Sequence, residues 1–210
     1  MSASTPSGEG GPTQGRRAEI ERRTGETHVR VALDLDGEGA GERTTGVGFF
    51  DHMLDLLADH ARIDLTVQAQ GDLQRGAHHT VEDCGIALGQ ALGQALGQRR
   101  GIRRFGFACV PMDESRASVV IDISGRPYAL FEGQLPPGSI GNFEVELAEE
   151  FMRALAGAAR LTLHVRIEAG TNAHHMIEAA FKALALALRG ALEADARRSG
   201  IPSTKGTLTG

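Results

Sequence analysis

Apolar residues recur along the chain with two periods, one of about 2 residues and one of about 3.6 residues. The shorter period predicts strands over residues 26–36, 62–70, 106–114, 116–125, 127–133 and 160–169. The longer period predicts helices over residues 51–61, 78–98, 143–159 and 174–196. Residues 1–15 are rich in Ser, Gly, Pro and Thr, which predicts a disordered tail. The pattern as a whole predicts a domain that combines helices and strands.

The same order of elements occurs twice. In each half a helix is followed by a strand, a loop, the pattern HHxxE and a long helix. The first copy of that pattern begins at His78 and the second begins at His174. Two matches at corresponding places are rare by chance for this composition. The repeat predicts an α+β fold built by internal duplication of a ββ–α–β–α-type half. We expect helices packed on mainly antiparallel sheets, with pseudo-twofold symmetry.

The duplication divides the chain into four segments of one compact domain. The predicted segments are the tail 1–15, a first half 16–103, a second half 104–198 and a polar C-terminal tail 199–210.

The long helix of the first half carries glycine at every fourth position, on one slowly drifting face. These residues are Gly85, Gly89, Gly93 and Gly97. Each glycine costs about 1 kcal/mol relative to alanine inside a helix. The run therefore predicts that a sheet or a neighbouring subunit packs closely against this face. The alternative is a low-complexity stretch that the packing tolerates.

Composition excludes several functional classes. The chain has 210 residues, 22 basic and 27 acidic, and a formal charge of −5, which argues against nucleic-acid binding. No apolar stretch approaches the roughly 18 residues of a membrane span, and the N-terminus lacks the apolar core of a signal peptide. Cys84 and Cys109 are too few for a disulfide framework or a four-cysteine zinc site. A reducing cytoplasm is the expected compartment.

The HHxxE patterns are candidate metal-binding motifs. Residues four apart lie on one face of a helix, so His174 and Glu178 can bind the same ion. His175 lies about 100° around the helix and points toward a different ion. In the first copy, His78 and Glu82 lie on one face and His79 points elsewhere. Each pair of adjacent histidines therefore indicates two metal ions. The alternative is a solvated helix start.

The repeat indicates which residues complete the two ligand sets. His52 precedes His78 by 26 residues, and Glu150 precedes His174 by 24. The predicted sets are His52, His79, His174 and Glu178 for one ion, and His78, Glu82, His175 and Glu150 for the other. Imidazole and carboxylate ligands without thiolate suit Mn, Fe or Zn. His28 and His164 lie within alternating strands, where surface or core roles are expected. His60 ends a helix, where it faces the helix dipole or contacts substrate.

Five motifs in order along the chain resemble the imidazoleglycerol-phosphate dehydratase family. They are GFFDHML, HHTVED, SGRPY, HHMIEAAFKAL and IPSTKG, and the resemblance covers about residues 17–207. It implies Mn-dependent dehydration of imidazole glycerol phosphate to imidazole acetol phosphate in histidine biosynthesis. Together with the two ions that the histidine pairs indicate, this predicts two Mn²⁺ ions per active site. It also implies a duplicated α+β fold and a homo-oligomeric shell of 24 subunits built from trimers, with active sites between subunits.

The resemblance also implies roles for individual residues. The metal ligands it implies are His52, His78, His79, Glu82, His174, His175 and Glu178. The family commonly has a histidine where this chain has Glu150, and a carboxylate can bind Mn. Glu26 matches the acid–base carboxylate, Arg104 and Arg126 match anion-binding arginines, and Lys182, Ser203 and Lys205 match contacts to the substrate phosphate. His52, His60 and His78 are further candidates for contact with substrate.

These residues permit a mechanism. Binding of the substrate imidazole to a cation favours the imidazolate form, and electron density from that ring expels hydroxide from the adjacent carbon. Glu26 removes a proton from the next carbon, which gives an enol that becomes the ketone. Two other functions stay open from the residues alone: a two-metal hydrolase acting on a phosphate ester, and a non-catalytic shell that stores metal.

Overall fold

The first half of the protein forms a four-stranded sheet and two helices. The computed structural model describes residues 15–208, and its first four strands are β1 (Arg17–Arg23), β2 (Thr27–Asp34), β3 (Arg43–Thr44) and β4 (Asp64–Gly71). The order across this sheet is β1-β2-β4-β3, with β3 parallel to β4 and the other pairs antiparallel. Helix α1 (Gly48–Ala61) connects β3 to β4, and α2 (His78–Leu96) follows the sheet after a short 3₁₀ turn.

The second half repeats this arrangement. Its sheet contains β5 (Phe105–Met112), β6 (Ser115–Asp122), β7 (Tyr128–Glu132) and β10 (Thr162–Ala169) in the order β5-β6-β10-β7. As in the first half, the strand at the edge runs parallel to its neighbour, here β7 to β10. The helices are α3 (Leu147–Ala159) and α4 (Ala173–Leu192), and a small hairpin of β8 (Ser139–Ile140) and β9 (Phe143–Glu144) precedes α3. The α+β class is confirmed, and the equivalent sheet orders are consistent with a duplicated half-fold.

The helices join the two halves. Helix α2 packs on the first sheet and α4 packs on the second, while α1 contacts α4 and α3 contacts α2. Each half thus places its shorter helix against the long helix of the other half. Both short helices end at an arginine in the left-handed conformation, Arg62 and Arg160, each with φ of 57°. This packing of each short helix on the opposite half brings residues of α1 next to the start of α4.

Several elements differ from the sequence expectation. The short strands β3, β8 and β9 were not predicted, and α4 ends at Leu192 rather than at residue 196. The helix predicted from residue 143 begins at Leu147, because Phe143 and Glu144 pair with Ser139 and Ile140 in the small hairpin. Strand β1 was not predicted, because its sequence RAEIERR has apolar residues at only two positions. The predicted N-terminal tail lies outside the described residues except for Gly15.

Close approach at the glycine face of α2 is confirmed, but the expected partner was wrong. The face packs on another helix, α3, rather than on a sheet or a neighbouring subunit. A Cβ atom at Gly89 would lie 2.6 Å from the carbonyl oxygen of Leu155 and 2.7 Å from the Cβ of Ala158. The glycines let two helix backbones approach where no side chain fits between them. Gly97 ends the helix with a φ of +49°.

Alanine substitutions along this face should have opposite effects at two positions. Gly89→Ala should lower the free energy of unfolding by about 1–3 kcal/mol, because the added methyl group overpacks against α3. Gly93→Ala should raise it by up to about 1 kcal/mol, because the nearest atoms to its Cβ lie 3.9 Å away and alanine favours the helix. Urea denaturation at one protein concentration measures both. Equal shifts for the two variants would contradict the close packing of Gly89 against α3.

Candidate metal centre and anion pocket

Three potential metal ligands converge between α1 and α4. The Nε2 atom of His174 lies 3.1 Å from the Oε2 atom of Glu178, and the Nε2 atom of His52 lies 3.7 Å from the same oxygen. One ligand atom from each of the three residues lies within 4.8 Å of the other two. Helix packing brings His52 to this place, since α1 contacts α4. The Asn172 side chain caps α4 by accepting a hydrogen bond from the His174 backbone amide.

Glu178 is charged and buried at the centre of this cluster. Its exposed fraction is 6%. Burial opposes ionisation, but the Lys182 ammonium group, 2.7 Å away, and the hydrogen bond to His174 outweigh it and hold the pKa of Glu178 below its usual value. A buried anion beside two imidazoles suits a divalent cation, and the absence of thiolate from this set favours Mn, Fe or Zn.

The corresponding pair in the first half is His78 and Glu82. The Nε2 atom of His78 lies 3.8 Å from the Oε2 atom of Glu82, one helical turn further along α2. Glu150, the expected repeat-mate of His52, is half-buried in the first turn of α3. Within residues 15–208, the cluster of His52, His174 and Glu178 is the one group of three or more potential ligands close enough to share an ion.

The second histidine of each pair turns away from the first and faces a carboxylate. The rings of His78 and His79 are inclined at 89°, and those of His174 and His175 at 79°. The Nδ1 atom of His79 lies 3.1 Å from Asp72, and that of His175 lies 2.8 Å from Glu114. A carboxylate on the far nitrogen commonly orients a metal-binding imidazole. The structure therefore does not bring His79 to the His52 cluster, nor His175 to His78, within one chain.

These carboxylates shift the titration of the histidines. The bond to Asp72 raises the pKa of His79, and the negative charge of Glu26 adds to the effect. The bond to Glu114 likewise raises the pKa of His175, while His175 and the amides of Asn172 and Thr171 hold the pKa of Glu114 far below its usual range. Both histidines must lose a proton when they bind a metal, so metal binding weakens as the pH falls.

Asp72→Asn should return the pKa of His79 toward the ordinary histidine value of 6.5. In the parent protein the raised pKa contributes stability that is fully present below the ordinary value and is lost as the pH rises through the raised value. NMR titration of the histidine rings in chelator-treated protein measures the change. His175, which faces Glu114, is the internal control and should keep its raised pKa. An unchanged His79 titration would show that Asp72 does not cause the shift.

Glu26 lies in the turn between β1 and β2, with an exposed side chain. Its backbone oxygen accepts a hydrogen bond of 3.1 Å from the amide of Asp72, the residue that faces His79. The turn therefore brings the expected acid–base carboxylate near the start of α2.

The predicted anion-binding residues line a separate pocket of about 430 Å³ at the C-terminal tail. The lining residues are Arg104, Ser124, Arg126, Ser203, Thr204, Lys205, Thr207 and Leu208. The Arg104 guanidinium group donates to Asp122 at 2.6 Å and to the Pro202 carbonyl at 2.7 Å, which ties the tail to β6. Such a pocket offers guanidinium, ammonium and hydroxyl donors to a phosphate group.

Besides Glu26, His52 and His78, two further predicted substrate contacts lie outside the anion pocket. Lys182 lies beside Glu178 in the His52 cluster rather than in the anion pocket. His60 lies in the last turn of α1, where its Nδ1 atom is 3.6 Å from Asp59. His28 bonds Glu21 at 2.7 Å, and the ring of His164 lies 5.9 Å from that of Tyr128, so both occupy strand surfaces as expected.

The metal-binding cluster and the anion pocket lie at opposite ends of α4. His174 is in the first turn, whereas the backbone amide of Arg104 bonds the carbonyl of Ala191 in the last turn. Seventeen residues of helix separate them, which corresponds to about 26 Å. One small phosphorylated molecule cannot reach both sites of the same chain.

Sequence reasoning missed three acidic residues near the site. Asp72 follows β4 directly, Glu114 lies in the β5–β6 turn, and Asp83 is buried in α2. Asp72 and Glu114 lie in loops with no periodicity, so no pattern marked them. Asp83 had a signal, since it is a charged residue on the buried face of an amphipathic helix.

Comparisons with known proteins identify the family. The sequence profile described as "Imidazoleglycerol-phosphate dehydratase" matches residues 45–188. A protein of that name from Symbiobacterium thermophilum is 54% identical over 193 residues, which are 92% of this chain and 93% of the relative. Another from Dinoroseobacter shibae is 56% identical over 194 residues, 92% of this chain and all of the relative.

Solved structures agree with the sequence comparison. The crystal structure of imidazoleglycerol-phosphate dehydratase from Staphylococcus aureus superposes with a TM-score of 0.77 at 41% identity, covering 85% of this chain and 99% of that one. The enzyme from Pyrococcus furiosus gives a TM-score of 0.78 at 39% identity, covering 90% and 100%. None of the helices in residues 15–208 combines the length and apolarity that crossing a membrane requires.

Proposed function

Because the chain belongs to the imidazoleglycerol-phosphate dehydratase family, we propose that the His52 cluster, the Glu26 turn and the anion pocket form its active site. The enzyme is a hydro-lyase of histidine biosynthesis, which removes water from imidazole glycerol phosphate to give imidazole acetol phosphate. The convergence of His52, His174 and Glu178 carries this assignment, since it supplies a cation site next to one further imidazole, that of His175.

We propose two Mn²⁺ ions per active site. The ligand atoms of the His52 cluster fit a divalent cation in spacing and in chemistry, and Glu178 supplies the buried negative charge. The other proposed ligands are His78, His79, Glu82, Glu150 and His175. When bound, the cations supply positive charge that lowers the pKa of an imidazole ligand and stabilises anionic charge.

The remaining residues bind the substrate and move protons. Glu26 is exposed next to His79, and we assign it the removal of the carbon-bound proton. Arg104, Arg126, Ser203 and Lys205 hold the phosphate in the anion pocket, which gives the tail segment 199–210 a role in substrate binding. Lys182 balances the charge of Glu178.

The distance between the two sites supports a homo-oligomer with active sites between subunits. About 26 Å of α4 separates the His52 cluster from the anion pocket, so each substrate takes its metal ligands and its phosphate pocket from different chains. His79 and His175 likewise face Asp72 and Glu114 rather than the His52 cluster of their own chain. We also propose that the oligomer is the 24-subunit shell of trimers that the family resemblance implies. We propose a cytoplasmic location as well.

The second sheet also exposes an apolar surface. Phe105, Phe107, Val120 and Tyr128 are 48–68% exposed, and Phe107 lies opposite Val120 in the β5–β6 register. Asp122 and Thr162 lie between Phe105 and Tyr128 in the strand register, so the surface mixes apolar and polar groups, as protein interfaces commonly do. This surface is therefore suited to contact another subunit.

An activity assay after removal and restoration of metal tests the proposed function. Protein stripped with a chelator should not convert imidazole glycerol phosphate, and Mn²⁺ should restore formation of the ketone product. Mg²⁺ serves as a control, because it binds weakly to imidazole-rich sites. Release of inorganic phosphate without ketone would instead indicate hydrolysis of a phosphate ester. Bound Mn²⁺ with neither product would indicate storage of metal.

A further inference from the structure

We propose that Asp83 is a positioning residue for catalysis, which holds the turn that carries Glu26 in place against α2. The inference rests on the proposed role of Glu26 as the acid–base group. Asp83 directly follows Glu82 in α2 but lies on the buried side of the helix, with an exposed fraction of 6%. It therefore faces the sheet rather than the metal-binding surface.

The carboxylate of Asp83 accepts hydrogen bonds from three side chains of the β1–β2 hairpin. The Thr27 hydroxyl group donates a short hydrogen bond to it. The Arg22 Nε atom donates at 2.7 Å, and the Thr24 hydroxyl lies 3.4 Å away. These residues surround the β1–β2 turn, so one buried group contacts both of its sides.

The turn itself is organised by Thr24. The Thr24 hydroxyl oxygen accepts hydrogen bonds from the backbone amides of Glu26, at 3.2 Å, and Thr27, at 3.0 Å. Asp83 holds this hydroxyl and that of Thr27, while the Asp72 amide bonds the Glu26 carbonyl. The backbone of Glu26 is thus fixed relative to α2, the helix that presents His79 and Glu82.

The other half of the repeat shows that the fold does not need a carboxylate here. The residue 96 positions after Asp83 is Ala179, which is fully buried in α4. Its hairpin turn carries Asp113 and Glu114 in place of the Glu26 turn. Burying a carboxylate costs free energy even when it is paired, so a purely structural position favours an apolar residue such as Ala179. Asp83 is present in the half that carries the proposed base.

Two variants test the proposal directly. Asp83→Asn and Thr27→Val should each lower kcat about tenfold to a hundredfold, with KM and bound Mn²⁺ unchanged, because small displacements of a reacting group are costly. Thr27→Ser keeps the hydroxyl group and should retain most of the activity. In metal-free protein, the backbone amide of residue 27, which bonds the Thr24 hydroxyl group, should exchange with solvent faster in both impaired variants.

Asp64→Asn is the matched control. Asp64 also ties loop backbone, accepting from the amides of Glu38 and Ala40, but it lies at the opposite end of the β2–β4 pair. Its loss should lower thermal stability while leaving kcat and Thr27 exchange unchanged. A fall in kcat equal to that of Asp83→Asn would overturn the proposal, since general destabilisation would then explain both.

A double-mutant cycle separates this inference from the proposed function. If Asp83 acts through Glu26, adding Asp83→Asn to Glu26→Gln should lower kcat no further than Glu26→Gln alone. Two outcomes would overturn the role of Asp83 but leave the role of Glu26 intact. In one, the losses in kcat of the two single variants multiply in the double variant. In the other, Asp83→Asn has a normal kcat while Glu26→Gln is impaired. Full activity of Glu26→Gln would instead remove the proposed acid–base role on which the inference rests.

Discussion

Glu26→Gln is expected to lower kcat for dehydration by about 10²–10⁴-fold, the usual contribution of a general acid–base group. Glutamine keeps the size of the side chain but cannot accept the carbon-bound proton. KM should change little, because the anion pocket proposed to bind the phosphate lies on other elements. Steady-state assays of the Mn-reconstituted enzyme measure both constants, and metal analysis checks that each variant binds the same amount of Mn²⁺.

Glu21→Gln provides the control on the same hairpin. Glu21 is exposed on β1 and pairs with Arg23 and His28, which hold its pKa at about 2. Removing its charge should leave kcat unchanged. If Glu26→Gln also lost Mn²⁺, Glu26 would be a metal ligand rather than the proton acceptor.

The sequence predicts much of the fold because the duplication repeats the same order of helices, strands and HHxxE motif. HHxxE at His78 and at His174 aligned the two halves, and the alignment predicted that His52 belongs near α4. In the structure α1 contacts α4, and His52 lies 3.7 Å from Glu178. A long-range contact was predictable here because helical periodicity and the repeat both constrain the same residues.

The remaining features depend on tertiary contacts that no local pattern records. The glycine spacing in α2 indicated a close approach, but one face of a helix does not reveal whether α3 or a sheet covers it. The partners of His79 and His175 come from loops, where Asp72 and Glu114 carry no periodic signal. The helical pattern indicates only that the charge of Asp83 is buried. It does not indicate the partner, Thr27, which lies 56 residues away in sequence.

Mixing two inactive variants should restore activity if active sites lie between subunits. His52→Ala removes an exposed proposed metal ligand, and Arg126→Ala removes an exposed side chain that lines the proposed phosphate pocket. Each variant alone should lose at least about a hundredfold in activity, since metal and phosphate binding are both required. Each variant nevertheless keeps the site that the other has lost.

A mixed oligomer then contains some sites with both parts intact. After dissociation and reassembly at equal amounts, each site draws its metal cluster and its anion pocket independently from the two kinds of chain. About one quarter of the sites should be complete, so the mixture should recover up to about one quarter of the parent activity. Mixing His52→Ala with Glu178→Gln is the control, because both changes damage the same cluster and no complete site can form.

The result determines whether an active site combines the metal cluster of one chain with the anion pocket of another. Recovery by the first mixture and none by the control requires that one chain's metal cluster work with another chain's anion pocket. No recovery by either mixture, with mixed oligomers shown by native mass spectrometry, would require both parts of a site to come from one chain. That outcome contradicts the separation of about 26 Å along α4, because a substrate smaller than this distance cannot span it.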